Sequence, residues 1–443
     1  MKTFKHLYIN SLFFILLLAI GGLFFISFFL KPLFVVSLIL LWMLISIAVI
    51  DVFILFSDKH GIDAERKLPE KFSNGDENPI HISIKNNYRL PVKVEIIDEI
   101  PFQFQKRDFL IRRKIGPCAT IQFKYHLRPT QRGTYKYGKL NVYAKSPLQL
   151  AIKRYVFTEN TEIATFPSFI QLKKYDLMAF SNSFREYGLK KIRRIGHTME
   201  FEQIKEYIQG DDVRTINWKA TSKKQTLMIN QYQDEKSQPV YQVIDKGRAM
   251  QMPFGGLSLL DYAINATLAL SNIILKKQDK AGMFTFSTKV ENYVAAERKT
   301  GQMQQLMETL YHIDTNFYES DFGRLLVDIK QSVRQRALII LYTDFETLDG
   351  LKRQLPFLKG IAKNHLLIVI FFDNSELNLL VNRKSKTAQD VYDKAIAEKF
   401  AFEKKIIIGE LTKHGIQSIL TQPENLTLAS INKYLELKAR GMI

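Results

Sequence analysis

LFFILLLAIGGLFFISFFL (residues 12–30) and PLFVVSLILLWMLISIAVI (residues 32–50) are separated by Lys31 alone, and neither contains a charged residue. At 1.5 Å rise per residue, each run is long enough to cross a hydrocarbon core of about 30 Å. A turn as short as Lys31-Pro32 returns the chain to the side it left. The spacing therefore predicts a two-helix transmembrane hairpin over residues 1–57, with helices at about 7–30 and 33–56. A cleaved signal peptide is the rival reading. The first run is too long for its apolar region, no small-x-small cleavage site stands out, and a second span follows at once.

Lysines and arginines near the helix ends set the orientation. Lys2 and Lys5 precede the first run, Lys59, Arg66 and Lys67 follow the second, and the turn holds only Lys31. This bias predicts both ends, and everything after about residue 57, on the cytoplasmic side. Asp51, near the end of the second run, is expected at the membrane interface beside Asp58, with an intramembrane functional group as the alternative.

Outside the anchor the composition is that of a folded protein: 443 residues, 46% hydrophobic, 24% charged. That length allows two to four domains. One cysteine, Cys118, excludes an intramolecular disulfide, a cysteine zinc finger and a CxxC redox pair. The formal charge of +19 points to anionic partners. A basic body beneath an anionic leaflet accounts for it, and no nucleic-acid recognition motif is evident. Steep salt dependence of binding would mark the alternative, a membrane-tethered nucleic-acid-binding protein.

Residues 58–165 alternate apolar and polar at Ile80–Ile84, Val92–Ile96, Thr120–Tyr125 and Leu140–Tyr143, with turn signals at Asn86-Asn87, Leu90-Pro91, Gly116-Pro117 and Arg132-Gly133. This predicts a small all-β, sandwich-like domain. Gly133–Lys139 has the spacing of a phosphate-binding loop. It lacks the following Ser or Thr, and strand residues rather than a helix come next, so no nucleotide site is expected there.

From 236 to 443 the pattern changes to apolar strands alternating with helices. Val240–Ile244, Met283–Phe286, Ala337–Leu341 and Leu366–Ile370 read as buried strands. Leu257–Leu275 and segments near 299–313, 322–335 and 351–363 read as helices. A doubly wound parallel sheet follows, with ligands expected at the carboxyl ends of its strands. Asp245 and Asp344 stand at such ends.

Between these domains, 166–235 forms a connector. Its densest stretch is GHTMEFEQIKEYIQGDDVRTINWKATSKKQTLMINQYQDE (196–235). Phe201, Ile204 and Ile208 fall at helical spacing and predict a short helix ended by Gly210. Asp211 or Asp212 is placed to cap the next turn and to pair with Arg214. Trp218 is expected to anchor the strand Leu227–Asn230. Paired carboxylates with His197 nearby also allow a metal-dependent hydrolase; structural or docking use is the competing reading.

The run resembles the signature of the domain of unknown function 58 family. The matching elements are Glu200-Phe201, Lys205, Tyr207, Gly210-Asp211-Asp212, Arg214, Ile216, Asn217-Trp218 and Lys219. Lys205 replaces the usual arginine, and Thr221–Lys224 replaces a commoner Ser-Ala-Arg. Arg132-Gly133-x-Tyr135 and Ser146-Pro147-Leu148 resemble the family's β-rich region. The resemblance implies a non-enzymatic, two-pass protein of the bacterial inner membrane that docks other proteins, with a MoxR-type AAA+ ATPase as partner. Neither nucleic acid nor a small-molecule substrate is implied.

It also implies that 236–443 is a von Willebrand factor A-like domain. Such domains hold magnesium through an Asp-x-Ser-x-Ser loop, a distant Thr and a distant Asp. Here the loop reads Asp245-Lys246-Gly247-Arg248-Ala249, without either serine. Ser320 stands in for the threonine and Asp344 for the last ligand. The resulting metal site, Asp245, Ser320 and Asp344, is degenerate and expected to bind no cofactor. Lys246 or Arg248 neutralising Asp245 and Asp344 is the alternative to an ion.

Overall fold

A computed structural model describes the chain apart from residues 1–5, 59, 158–160, 173–174, 177–199, 210, 212, 234–236, 375–376, 378–379 and 382–386; at 200–203 and 231–233 it describes the backbone alone. The chain divides into two compact units, Met1–Phe166 and Pro167–Ile443.

The first unit begins with a short strand, β1 (Leu7–Ile9), then helices α1 (Ser11–Ser27) and α2 (Pro32–Phe56). The first helix is thus shorter than the 7–30 expected from hydrophobicity. Asn10 ends the extended segment and caps the helix, its side-chain oxygen accepting from the Ser11 amide. Residues 7–9 instead pair antiparallel with Lys153, Ile152 and Ala151. Of the two helices, α2 is long and apolar enough to cross a membrane, and α1 is a shorter apolar helix of 17 residues.

The β-rich part follows: β2 (Ile62–Lys67), β3 (Lys71–Ser73), β4 (Asn78–Asn86), β5 (Val92–Asp98), β6 (Ile111–Ile115), β7 (Thr120–Leu127), β8 (Gly133–Lys136), β9 (Leu140–Lys145), β10 (Ala151–Phe157) and β11 (Glu162–Phe166). They form sheets ordered β1-β10-β9-β5-β6, β2-β4-β7 and β3-β11-β8. The period-two pattern sends Ile82 and Ile84 of β4 into one core with Val92, Val94 and Ile96 of β5 and Val142 of β9. Two sheet faces therefore pack on each other. The glycine-rich Gly133–Lys139 segment lies on β8 and the turn into β9, a strand context.

Asp51, expected at the membrane interface beside Asp58, has its side chain turned into the protein. It is fully buried. Its Oδ2 accepts from the backbone amides of Leu150 and Ala151 at 2.8 Å each, and its Oδ1 accepts from the Ser146 hydroxyl. Leu55, one turn on, is buried in the core shared by the sheets.

The second unit carries a hairpin, β12 (Glu200–Glu206) and β13 (Met228–Gln233), then β14 (Pro239–Asp245), the two-residue strands β15 (Pro253–Phe254) and β16 (Leu257–Ser258), β17 (Lys280–Phe286), β18 (Val290–Glu297), β19 (Leu338–Tyr342), β20 (Leu366–Phe372) and β21 (Gln417–Thr421). Its main sheet has the order β18-β17-β14-β19-β20-β21. All its pairings are parallel except β17 with β18, which is antiparallel. A wholly parallel sheet is excluded there because residues 287–289 are too few for a crossover helix.

Strands buried on both faces explain the continuous apolar runs. Val240, Ile244, Ile340 and Ile368 pack with helices Leu259–Lys276 and Leu426–Ala439. Val243, Leu341 and Val369 pack with helices Phe322–Ser332, Leu348–Ala362 and Ala388–Lys413.

Candidate functional site at the sheet's carboxyl end

Asp245 ends β14 and is 2% exposed. Its Oδ1 accepts from the Gly247 amide at 2.7 Å and from the Ser320 hydroxyl; its Oδ2 accepts from Thr343 Oγ1 at 2.6 Å. Burial pushes the carboxyl above its ordinary range, against the pull of the hydrogen bonds from Ser320, Thr343 and Gly247, and nearby Asp344 adds to the rise.

Gly247 shows why the loop has no serine at that position. A Cβ there would lie 2.0 Å from Ser320 Oγ and 3.0 Å from Asp245 Oδ1. The Ser320 hydroxyl occupies the space that a loop side chain would need.

Neither of the loop cations neutralises the aspartates. Lys246 is almost completely buried and points to Glu291 Oε2 (2.7 Å) and the Asp314 carbonyl (2.8 Å). Partial burial acts to raise the Glu291 carboxyl, but hydrogen bonds from Lys246 and Ser287 win and hold it below its ordinary range. Arg248 is exposed, in a short 3₁₀ turn. The cation that reaches Asp344 is Lys404, from helix Ala388–Lys413, with Nζ 2.5 Å from Asp344 Oδ1. Asp344 Oδ1 also accepts from the Phe372 amide at 3.2 Å.

A magnesium-type ion needs about six oxygen ligands with lone pairs turned towards it. Here both Asp245 oxygens accept hydrogens, and an ammonium sits on Asp344. In this arrangement the set does not fit the divalent ion that the resemblance implies. Beside Asp344 and Lys404 opens a cavity of about 310 Å³, walled by Met252, Phe254, Leu259, Phe372, Leu377 and Phe400. Its chemistry is that of a mostly apolar binding recess with one ion pair in its wall.

The connector departs from its expected form. Glu200–Glu206 is a strand paired with β13, not a helix; the helical spacing of Phe201, Ile204 and Ile208 loses to cross-strand pairing. The side chains of Glu200 and Phe201, and residues His197, Gly210 and Asp212, lie outside the described residues. Asp211 does not cap the next turn; its Oδ2 accepts from the Ile208 amide at 3.0 Å and its Oδ1 from Lys205 Nζ at 3.1 Å. The Ile208 amide first, and Lys205 second, hold its carboxyl below the ordinary range.

Asn217 caps helix Trp218–Lys224 by accepting from the Ala220 amide, and its Nδ2 donates to Asn230 Oδ1 at 2.9 Å. Trp218 does not anchor the strand. It is 71% exposed at the first position of helix Trp218–Lys224. Ile208, Val213 and Leu227 on the same hairpin are also exposed. Tyr207 continues β12 through its amide to the Leu227 carbonyl, and Arg214 lies in the 3₁₀ turn Val213–Thr215. Lys219 is exposed on the short helix.

Residues 203–390 match the model of the family described as "Protein of unknown function DUF58", which supports the resemblance carried by the connector. No curated protein matches. Among solved structures, the chain is similar to a PapD-like domain of human CEP192, at 11% identity over 24% of this chain and 87% of that one, with a TM-score of 0.19. A CARDB domain from Pyrococcus furiosus shows 14% identity over 24% and 94%, with a TM-score of 0.17. Proximal thread matrix protein 1 from mussel byssus shows 9% identity over 44% and 45%, with a TM-score of 0.26.

Proposed function

We propose that this protein is a membrane-anchored docking protein without catalysis of its own. Its hairpin spans the bacterial inner membrane twice, with both folded units on the cytoplasmic side, and a MoxR-type AAA+ ATPase is its partner. The partner comes from the family resemblance alone. The length and apolarity of α2 support the anchor. The strand order of the main sheet, with its antiparallel edge, supports a von Willebrand factor A-like domain.

The observation that carries the docking role is the exposure of Trp218 (71%), Ile208 (65%) and Val213 (61%) on one small hairpin. A soluble surface tolerates single exposed apolar residues, but an exposed tryptophan on the same short hairpin as two exposed aliphatic residues supports contact with another protein. The hairpin is held by Lys205–Asp211 and the Asn217 cap, so its display does not depend on Trp218.

The test is binding of the purified ATPase to the full chain in lipid nanodiscs. Trp218→Ala should weaken binding at least tenfold while leaving the melting temperature in place. Binding that is absent in the wild type, or unchanged in Trp218→Ala, counts against the proposal.

A further inference from the structure

The hairpin helices are built into the β-rich unit rather than tethered to it. Asp51 on α2 accepts from the amides of Leu150 and Ala151, and Lys153 Nζ donates to the carbonyls of Leu55 (2.9 Å) and Asp58 (2.7 Å). From Asp51 to Leu55 the helix advances about 6 Å. From Ala151 to Lys153 the strand advances about 6.6 Å. Helix α2 and strand β10 therefore run side by side in step. On the other helix, the Asn10 amide donates to the Leu150 carbonyl (2.9 Å) and Asn10 Nδ2 to the Gln149 carbonyl (2.7 Å). Both helices are thus fixed at the level of residues 149–151, with the strands of this sheet lying along the helix direction.

The register carries that level across the sheet. Ile152 pairs with Lys145, Lys145 with Lys93, and Val92 with Ile115. The loops beyond these residues, 88–91, 116–119 and 146–150, all project from the end of the sheet where the apolar helices leave it. Leu150 reaches into the helices themselves, in one cluster with Ile20 and Leu44. Leu90 is 42% and Leu148 40% exposed, Pro117 and Pro147 are exposed, and none of the three loops contains an Asp or Glu. Arg89, Lys93 and Lys114 are exposed at the same end.

We propose that this end of the β-rich unit is a bilayer-contact surface, with Leu90 and Leu148 entering the headgroup region of an anionic leaflet and Arg89, Lys93 and Lys114 facing its phosphates. Two exposed leucines beside basic residues, on loops that carry no acid, suit that partner, since apolar side chains gain by leaving water and cations gain by approaching anionic lipid; the exposed Asp63 at this end is engaged by Asn87 Nδ2 at 2.7 Å. The inference rests on the reading of α2 as a membrane span. The result is a unit held upright at the membrane, its opposite end facing the cytoplasm.

The experiment uses the full chain in nanodiscs of phosphatidylcholine and phosphatidylglycerol containing doxyl-labelled lipid. In a Cys118→Ser background, single cysteines are introduced as Leu90→Cys, Leu148→Cys, Lys106→Cys and Ile39→Cys and labelled with an environment-sensitive fluorophore. Lys106 lies between β5 and β6 at the far end of the sheet, and Ile39 is an exposed residue within α2. Strong quenching at positions 90, 148 and 39, with none at 106, is the expected result. Quenching at 39 with positions 90 and 148 as dark to doxyl lipid as 106 overturns the contact surface alone. No quenching at 39 overturns the membrane span and the surface with it. Replacing phosphatidylglycerol by phosphatidylcholine should lower quenching at 90 about twofold; equal quenching overturns the assignment to anionic headgroups.

Discussion

Lys404 Nζ lies 2.5 Å from Asp344 Oδ1, with the two side chains 12% and 6% exposed, so a lysine sixty residues downstream supplies the positive charge at the end of β19. Breaking such a buried pair from one side strands the other charge and costs about 3–5 kcal/mol. Lys404→Met should therefore lower the thermal midpoint of the α/β unit sharply, and Lys404→Met/Asp344→Asn should recover most of the loss. Saturating magnesium should leave the wild-type midpoint where it was. A double variant no better than the single one, or a saturable rise with magnesium, would contradict this account of the site.

The same carboxylate chemistry fastens helix α2 to the β-rich unit. Asp51 accepts three hydrogen bonds at the start of β10, two of them from backbone amides that have no other place to go once buried. Leaving buried donors unmet costs about 1–3 kcal/mol each. Asp51→Ala should loosen the junction and speed protease cleavage near residues 146–150, and Asp51→Asn, which keeps one acceptor, should fall between. Equal cleavage of all three proteins would show that the bonds carry little.

Much of the architecture was legible because burial writes period into sequence. The alternation at Ile80–Ile84 and Val92–Ile96 and the solid run at Leu366–Ile370 lie within strands, and the run Ala337–Leu341 falls in β19 but for its first residue. The failures have two physical origins. At Phe201, Ile204 and Ile208 a helical spacing was present by coincidence on a strand whose partner, β13, lies over twenty residues away. At the sheet end, Ser320 meets Asp245 as the sequence suggested, but the loop cations Lys246 and Arg248 do not reach the aspartates; Thr343 bonds Asp245 and Lys404 bonds Asp344 instead. A signal for Lys404 did exist. It falls on the face of helix Ala388–Lys413 that carries the buried Ala397, Ile407 and Leu411, and a lysine on an apolar stripe has to find a carboxylate.

Trp218 separates surface function from stability. At 71% exposure it has little packing to lose. Trp218→Ser should change unfolding free energy by no more than about 0.5 kcal/mol. Asn217→Ala removes the cap of helix Trp218–Lys224 and the bond to Asn230, and should cost about 1 kcal/mol. Urea unfolding of the two variants would check the order, and a larger loss from Trp218→Ser would mean that the indole packs in solution.

His365 gives the α/β unit a pH dependence with a definite sign. It is 7% exposed, its Nδ1 has no hydrogen-bond partner, and burial lowers its pKa below the ordinary 6.5. The unfolded chain therefore takes up a proton near pH 6.5 that the folded chain refuses. The stabilising contribution is fully present above that pH and is lost as the pH falls through the folded value, with a slope of up to about 1.4 kcal/mol per pH unit. His365→Leu fills the same buried site without a titrating group, so the gap in thermal midpoint between variant and wild type should widen in the variant's favour from neutral pH to about 5.5. Midpoints that move in parallel over that range would mean that His365 is protonated equally well in both states, and that its ring reaches water.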